Sequence, residues 1–142
     1  MYKFLFLSLL VVSASAALIG EWESDETGAI VNIEAIEDPF QLLGTFSFPR
    51  EAPGCVNGTY DMIGKIYPVD RASHEGIPIA FNVAFYNDRS NCSSVATWNG
   101  LFFDDPVNEI HTMWLSSDTA DRNHHHYTST RIGHDVFHPR FQ

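Results

Sequence analysis

The residues of this chain whose types could do chemistry are few: three tryptophans, two cysteines and seven histidines among 142 residues. Trp22, Trp98 and Trp114 fall in three separate apolar segments, and Phe85 falls in a fourth. Aromatic walls joined by a few polar groups make a small-molecule pocket. The same residues could instead fill a core that holds no ligand, and composition alone leaves both readings open. His124, His125 and His126 form a run that could bind a transition metal. Its polar surroundings read better as a solvated turn. His111, His134 and His138 lie in apolar segments, where an imidazole is more often packed or hydrogen-bonded than a ligand. The chain has no Gly-x-Ser-x-Gly elbow, His-Glu-x-x-His, Cys-x-x-Cys or phosphate loop. Nothing in the pattern places two of its 18 acids together for acid–base work. The expectation is a binding protein and not an enzyme, with no cofactor and no metal.

The elements that must position these residues are strands. Eight β-rich segments recur at short spacing, separated by Gly, Pro, Asn, Asp and Ser clusters. They run Leu18–Glu23, Ala29–Ile36, Gln41–Phe48, Asn57–Tyr67, Ile77–Asn87, Ser94–Phe103, Glu109–Ser117 and Tyr127–Phe137. The fifth is the clearest. Ile77, Ile79, Phe81, Val83 and Phe85 share one face, because side chains alternate along a strand. No segment carries a sustained helical period with caps, so almost no helix is predicted. Short connections favour an all-β, eight-stranded antiparallel up-and-down β-barrel, which removes exposed edges and leaves room for one small ligand. A two-sheet sandwich is the second architecture the pattern allows.

Composition bounds the partners. The chain is long enough for one domain, with 44% apolar and 18% charged residues. A formal charge of −10 with scattered basic residues opposes binding to nucleic acid or to anionic membranes. Residues 1–17 read as a secretory signal peptide: Lys3, the apolar run Phe4–Val12, then Ala14-Ser15-Ala16 as the cleavage site. The mature domain is then 18–142, in a secreted, extracellular protein. No later segment has the roughly 20 apolar residues of a membrane span. In that setting Cys55 and Cys92 are expected to form a disulfide, with free thiols as the alternative. Asn57-Gly58-Thr59 and Asn91-Cys92-Ser93 are glycosylation sequons.

Between Leu18 and Phe137 the strings resemble those of the avidin and streptavidin family. Gly20-Glu21-Trp22 opens the first strand as in that family. Gly44-Thr45-Phe46 and Gly58-Thr59-Tyr60-Asp61 are similar to its third and fourth strands. Phe81-Asn82-Val83-Ala84-Phe85 and Ser94-Val95-Ala96-Thr97-Trp98-Asn99-Gly100 resemble the fifth and sixth. Thr112-Met113-Trp114-Leu115 is the most specific match, and Ser129 to Phe137 follows the last strand. The resemblance implies biotin held inside the barrel. Trp98, Trp114 and Phe85 would be its aromatic walls, with Phe85 replacing a usual Trp. Asp135 would accept a ureido N–H, and Ser94 would lie near the valerate carboxylate.

The departures from the family pattern fall at the ureido oxygen. Phe46 replaces a Tyr, and Ala29 replaces a Ser. Asp25 stands where an Asn is expected, and Ser24 could substitute if the one-residue insertion falls later. Ala96 replaces a Thr near the ring sulfur. Losing two or three hydrogen bonds would cost roughly 2–5 kcal/mol, about two to four decades of affinity. Binding on the order of nanomolar to micromolar is therefore expected. The resemblance also implies oligomers. Tyr127 stands where relatives lend a Trp to a neighbouring subunit, and a Cys55–Cys92 bridge resembles the dimeric branch. A homodimer is expected ahead of a homotetramer. The rival readings are an avidin-like interaction module without biotin and a lipocalin-type carrier. Gly20-Glu21-Trp22 would suit a lipocalin, but Thr112-Met113-Trp114-Leu115 would not.

Overall fold

The computed structural model describes residues 17–37, 40–48, 58–67, 76–87, 92–104, 106–118 and 130–141. Their strands are β1 Gly20–Ser24, β2 Ile30–Glu37, β3 Gln41–Ser47, β4 Thr59–Ile66, β5 Ile77–Asn87, β6 Cys92–Phe103, β7 Glu109–Asp118 and β8 Thr130–Pro139. Each pairs with the next in antiparallel register, and β1 closes on β8. The barrel predicted from the turn spacing is the fold, and the sandwich is excluded. Closure leaves no edge among the described strands for another chain to template.

Several strand ends shift by one or two residues from the sequence reading, and two of the shifts have a clear physical reason. Leu18 is not in β1: it lies in a short helical turn, where its carbonyl accepts the indole N–H of Trp22 at 2.8 Å. β8 continues beyond Phe137 to Pro139, because Phe137, His138 and Pro139 are the residues that pair with β1.

Period-two alternation decides what lies inside. On β5, Ile77, Ile79, Phe81, Val83 and Phe85 are all at most 3% exposed. On β6, Ser94, Ala96, Trp98 and Phe102 face the same interior. One end of the barrel is a packed floor of Leu18, Trp22, Leu42, Ile77, Phe102 and Ile110. Trp22 meets Phe102 edge to face at 5.8 Å. Each such side chain contributes about 1.5–3 kcal/mol on burial. Toward the other end, the interior becomes more aromatic and gains buried polar groups.

The outer wall is less conventional. Val95 on β6, Met113 and Leu115 on β7 and Ile132 on β8 are each more than half exposed. Leu115 is paired directly with Ile132, so these side chains form one apolar stripe across three strands.

Candidate functional site

A carboxylate with almost no access to water organises the interior. Asp135 on β8 is 2% exposed. Its Oδ1 accepts the hydroxyl of Ser24 at 2.5 Å and that of Thr27 at 3.4 Å. Its Oδ2 accepts the indole N–H of Trp98 at 2.9 Å. Its backbone carbonyl accepts the hydroxyl of Thr112 at 3.0 Å. Burying a carboxylate is costly unless donors replace its water. Three side chains from the β1–β2 segment and β6 do so here.

The β1–β2 turn is shaped for this task. Ser24 and Ala29 close it through the Ser24 N–H to Ala29 carbonyl bond at 2.9 Å, and Gly28 donates back to the Ser24 carbonyl at 3.0 Å. Gly28 has φ of +72°, a conformation that side chains other than glycine disfavour. The Ser24 hydroxyl oxygen also accepts the N–H groups of Glu26 and Thr27, and the Thr27 hydroxyl oxygen accepts that of Ala29. These are the local side-chain bonds that serine and threonine make in turns. They fix both hydroxyls before any ligand arrives.

Around the carboxylate stands an aromatic cluster. The Trp98 ring stacks on Phe81 with centroids 5.3 Å apart, and it meets Phe46 at 4.7 Å. Phe46 meets Phe85 at 5.7 Å, and Phe85 meets Tyr60 at 4.9 Å. Trp114 is half-buried and packs against the core opposite Gly133. A Cβ added at Gly133 would lie 2.2 Å from the Trp114 ring, so the glycine is what lets the indole lie flat on β8. Ser94 is 4% exposed and pairs across the sheet with Phe85. A buried carboxylate with fixed donors, enclosed by aromatic faces, suits a small ligand that donates hydrogen bonds.

A model of the avidin family matches residues 12–140. The chain belongs to the avidin family. The crystal structure of xenavidin is similar to it with a TM-score of 0.70 at 22% identity, over 86% of this chain and 96% of that one. At that identity the likeness speaks for the fold, and the closed barrel agrees with it. The avidin family is one of binding proteins and not of enzymes.

Within this avidin-family barrel, the residues named from sequence are placed unevenly. Ser24, Trp98 and Asp135 are joined by hydrogen bonds. Phe46, Phe85, Ser94 and Trp114 line or adjoin the same interior. Asp25 is not brought there. Its side chain points outward, 63% exposed, and pairs with His138 at 2.6 Å. Ser24 takes the inward position, 3% exposed. Trp22 belongs to the floor and not to the site. His111 and His134 also point outward, beside Glu109 and Glu26 respectively. Cys55, Tyr127, residues 124–126, the asparagines of both sequons and residues 1–16 lie outside the described residues.

Sequence reasoning missed Thr27, Phe81, Tyr60 and Thr112 as members of the site. Phe81 carried a usable signal, since it shares the inward parity of Phe85. Thr27 carried a weaker one, as a hydroxyl in a glycine turn. A polar cleft of about 450 Å³ also opens at the β1–β2 turn, bordered by Asp25, Glu26, His138 and Arg140 and reaching Ser24 and Thr27. No Phe, Tyr or Trp lines it, and its charged side chains face solvent, so the interior cluster is the better candidate. Among the described residues no group of three His, Cys, Asp or Glu could hold a metal, and no helix is long and apolar enough to cross a membrane.

Proposed function

We propose that this avidin-family protein is a secreted biotin-binding protein that holds one biotin per barrel, more weakly than the tightest family members. The observation that carries this reading is Asp135, buried and held by Ser24, Thr27 and Trp98 amid the aromatic cluster. A ureido N–H of biotin would donate to Asp135, and the ring system would lie among Trp98, Phe85 and Trp114. Ser94 would serve the carboxylate tail. Phe46 and Ala29 add no donor toward the ureido oxygen, which supports affinity on the order of nanomolar to micromolar.

Titration calorimetry of the secreted, oxidised protein with biotin tests this. The expected result is a saturable signal near one site per chain, weakened in Asp135→Ala. No heat and no fluorescence change up to millimolar biotin would refute it and favour an avidin-like interaction module that has lost its ligand.

The same reading includes assembly. The stripe of Val95, Met113, Leu115 and Ile132 supports pairing with a second copy of the chain, since apolar stripes on a soluble monomer are normally covered. A homodimer is the expected species, and sedimentation equilibrium separates it from a tetramer. Only monomer at all concentrations would end the proposal.

A further inference from the structure

The apolar stripe on the outer wall carries no charge within it but has titratable groups along one border. Val95, Met113, Leu115 and Ile132 face outward, each more than half exposed. The β6 residues paired with Met113 and Leu115 are Asn99 and Thr97, both uncharged. His134 is paired directly with Met113. His111 lies two residues before Met113 on the same face of β7, and His138 lies further along the face of β8 that carries His134. Each of the three imidazoles meets one carboxylate. His111 Nε2 lies 2.5 Å from Glu109, His134 Nε2 lies 3.4 Å from Glu26, and His138 Nε2 lies 2.6 Å from Asp25.

The other charges near this border come from β1 and the strand ends. Glu23 on β1 is paired across the sheet with His138. Glu21 meets Arg140 at 3.3 Å and Asp118 meets Arg131 at 3.7 Å, so those charges cancel in pairs. On β6, His111 faces Leu101 and the ring of Phe103, neither of which ionises, and Asp104 lies beyond the end of that strand. With neutral imidazoles, Glu109, Glu26 and Asp25 leave three uncancelled negative charges on the border, and Glu23 adds another. With charged imidazoles, the three are cancelled one for one. Imidazole is the side chain that makes this change between about pH 5 and 8. Two copies joined through the stripe would bring two such borders within roughly 10–15 Å, given a rise of about 3.3 Å per residue and about 4.8 Å between strands. Like charges at that spacing oppose association unless salt screens them, and the screening length is about 10 Å at 0.1 M and about 30 Å at 0.01 M.

Resting on the homodimer reading, we propose that the stripe is a pH-tuned interface between two copies of the chain. The copies associate more tightly in mildly acidic than in neutral solution, because His111, His134 and His138 then cancel the carboxylates that border the stripe.

The test is sedimentation equilibrium of the whole secreted protein in about 0.02 M salt, at about pH 7.5 and about pH 5.5. Leu115→Ala, which trims the stripe, brings a dimer too tight to dissociate into range. The expected result is a dissociation constant about fivefold or more lower at the acidic pH, with the difference largely lost in about 0.5 M salt. The triple variant His111→Gln, His134→Gln and His138→Gln, with folding verified by circular dichroism, should keep the weaker, neutral-pH value at both pH values. Equal or weaker association of the parent at the acidic pH would overturn the inference and leave the homodimer reading standing. A full pH response retained by the triple variant would also overturn it, since the response would then come from charge elsewhere on the molecule. Only monomer under every condition would end the homodimer reading and this inference with it.

Discussion

Two buried tryptophans mark the two ends of the barrel, and they use the same indole N–H differently. At the floor, Trp22 donates to the carbonyl of Leu18 at 2.8 Å, amid aliphatic and phenyl side chains. In the site, Trp98 donates to the Asp135 carboxylate at 2.9 Å, amid aromatic faces and hydroxyls. Both N–H groups are satisfied, as burial requires. The floor bond closes a local turn four residues long, so its purpose ends with the fold. The site bond crosses from β6 to β8 and orients a charge that has little stabilising reason to be there. A buried carboxylate is a weak net contributor to stability, because the donors around it largely offset the water it has lost. Stability should therefore reside mainly at the floor, and recognition in the site.

The largest expected effect tests the first half of that division. Trp22→Ala should cost about 3–5 kcal/mol, a drop in Tm on the order of 15 °C. Biotin affinity, measured below the new transition, should stay within a few-fold. Scanning calorimetry with parallel titration checks both. Asp135→Ala should show the reverse weighting: a smaller drop in Tm than Trp22→Ala, from the Ser24, Thr27 and Trp98 donors it leaves unpaired, and affinity lower by about two decades, the value of a charge-assisted hydrogen bond. If Asp135→Ala instead unfolds the barrel, the carboxylate is a structural keystone and the contrast between the ends fails.

The inward face of β5 was more legible in the sequence than the β1–β2 turn, for a geometric reason. Alternation along β5 identified its inward face residue by residue, and β5 to β7 keep their parity because no residue is inserted within them. Parity cannot be carried across a turn whose length has changed. That is why Asp25 and Ser24 competed on paper for one role, and why the turn geometry had to show that Ser24 faces in while Asp25 faces His138. The Trp98–Asp135 bond was illegible for a related reason: β7 separates their strands, so the inward curl of the sheet brings the two side chains together. Tryptophan as a residue type was also a poor guide, since Trp22 and Trp98 carry the same signal and lie at different ends. The strings resembling the avidin family located Asp135, Trp98 and Trp114, but not Thr27, which belongs to the altered turn.

A smaller effect sharpens the division within the site itself. Gly133→Ala places a methyl carbon where the Trp114 ring now lies. The half-buried indole has room to tilt outward, so the fold should tolerate the change with a Tm shift of a few degrees. Affinity should fall by about tenfold through the displaced wall, as it would for roughly 1.4 kcal/mol of lost contact. An affinity equal to the parent's would mean that Trp114 does not touch the ligand, and the site would shrink to the cluster around Trp98.

The smallest effect concerns the outer side of the β1–β2 turn. Asp25 and His138 meet at 2.6 Å, but the carboxylate is 63% and the imidazole 40% exposed. Pairs this exposed contribute about 0–1 kcal/mol. The turn does not depend on them, because the Asp25 N–H already donates to the Val136 carbonyl at 3.0 Å and the Ser24–Ala29 bond closes it from within. Asp25→Asn should therefore leave biotin affinity within about twofold, and added salt should change it little. A tenfold loss in Asp25→Asn would show that surface charge, and not the buried hydroxyl network, holds Ser24 and Thr27 against Asp135. Recognition would then depend on the rim of the barrel as much as on its interior.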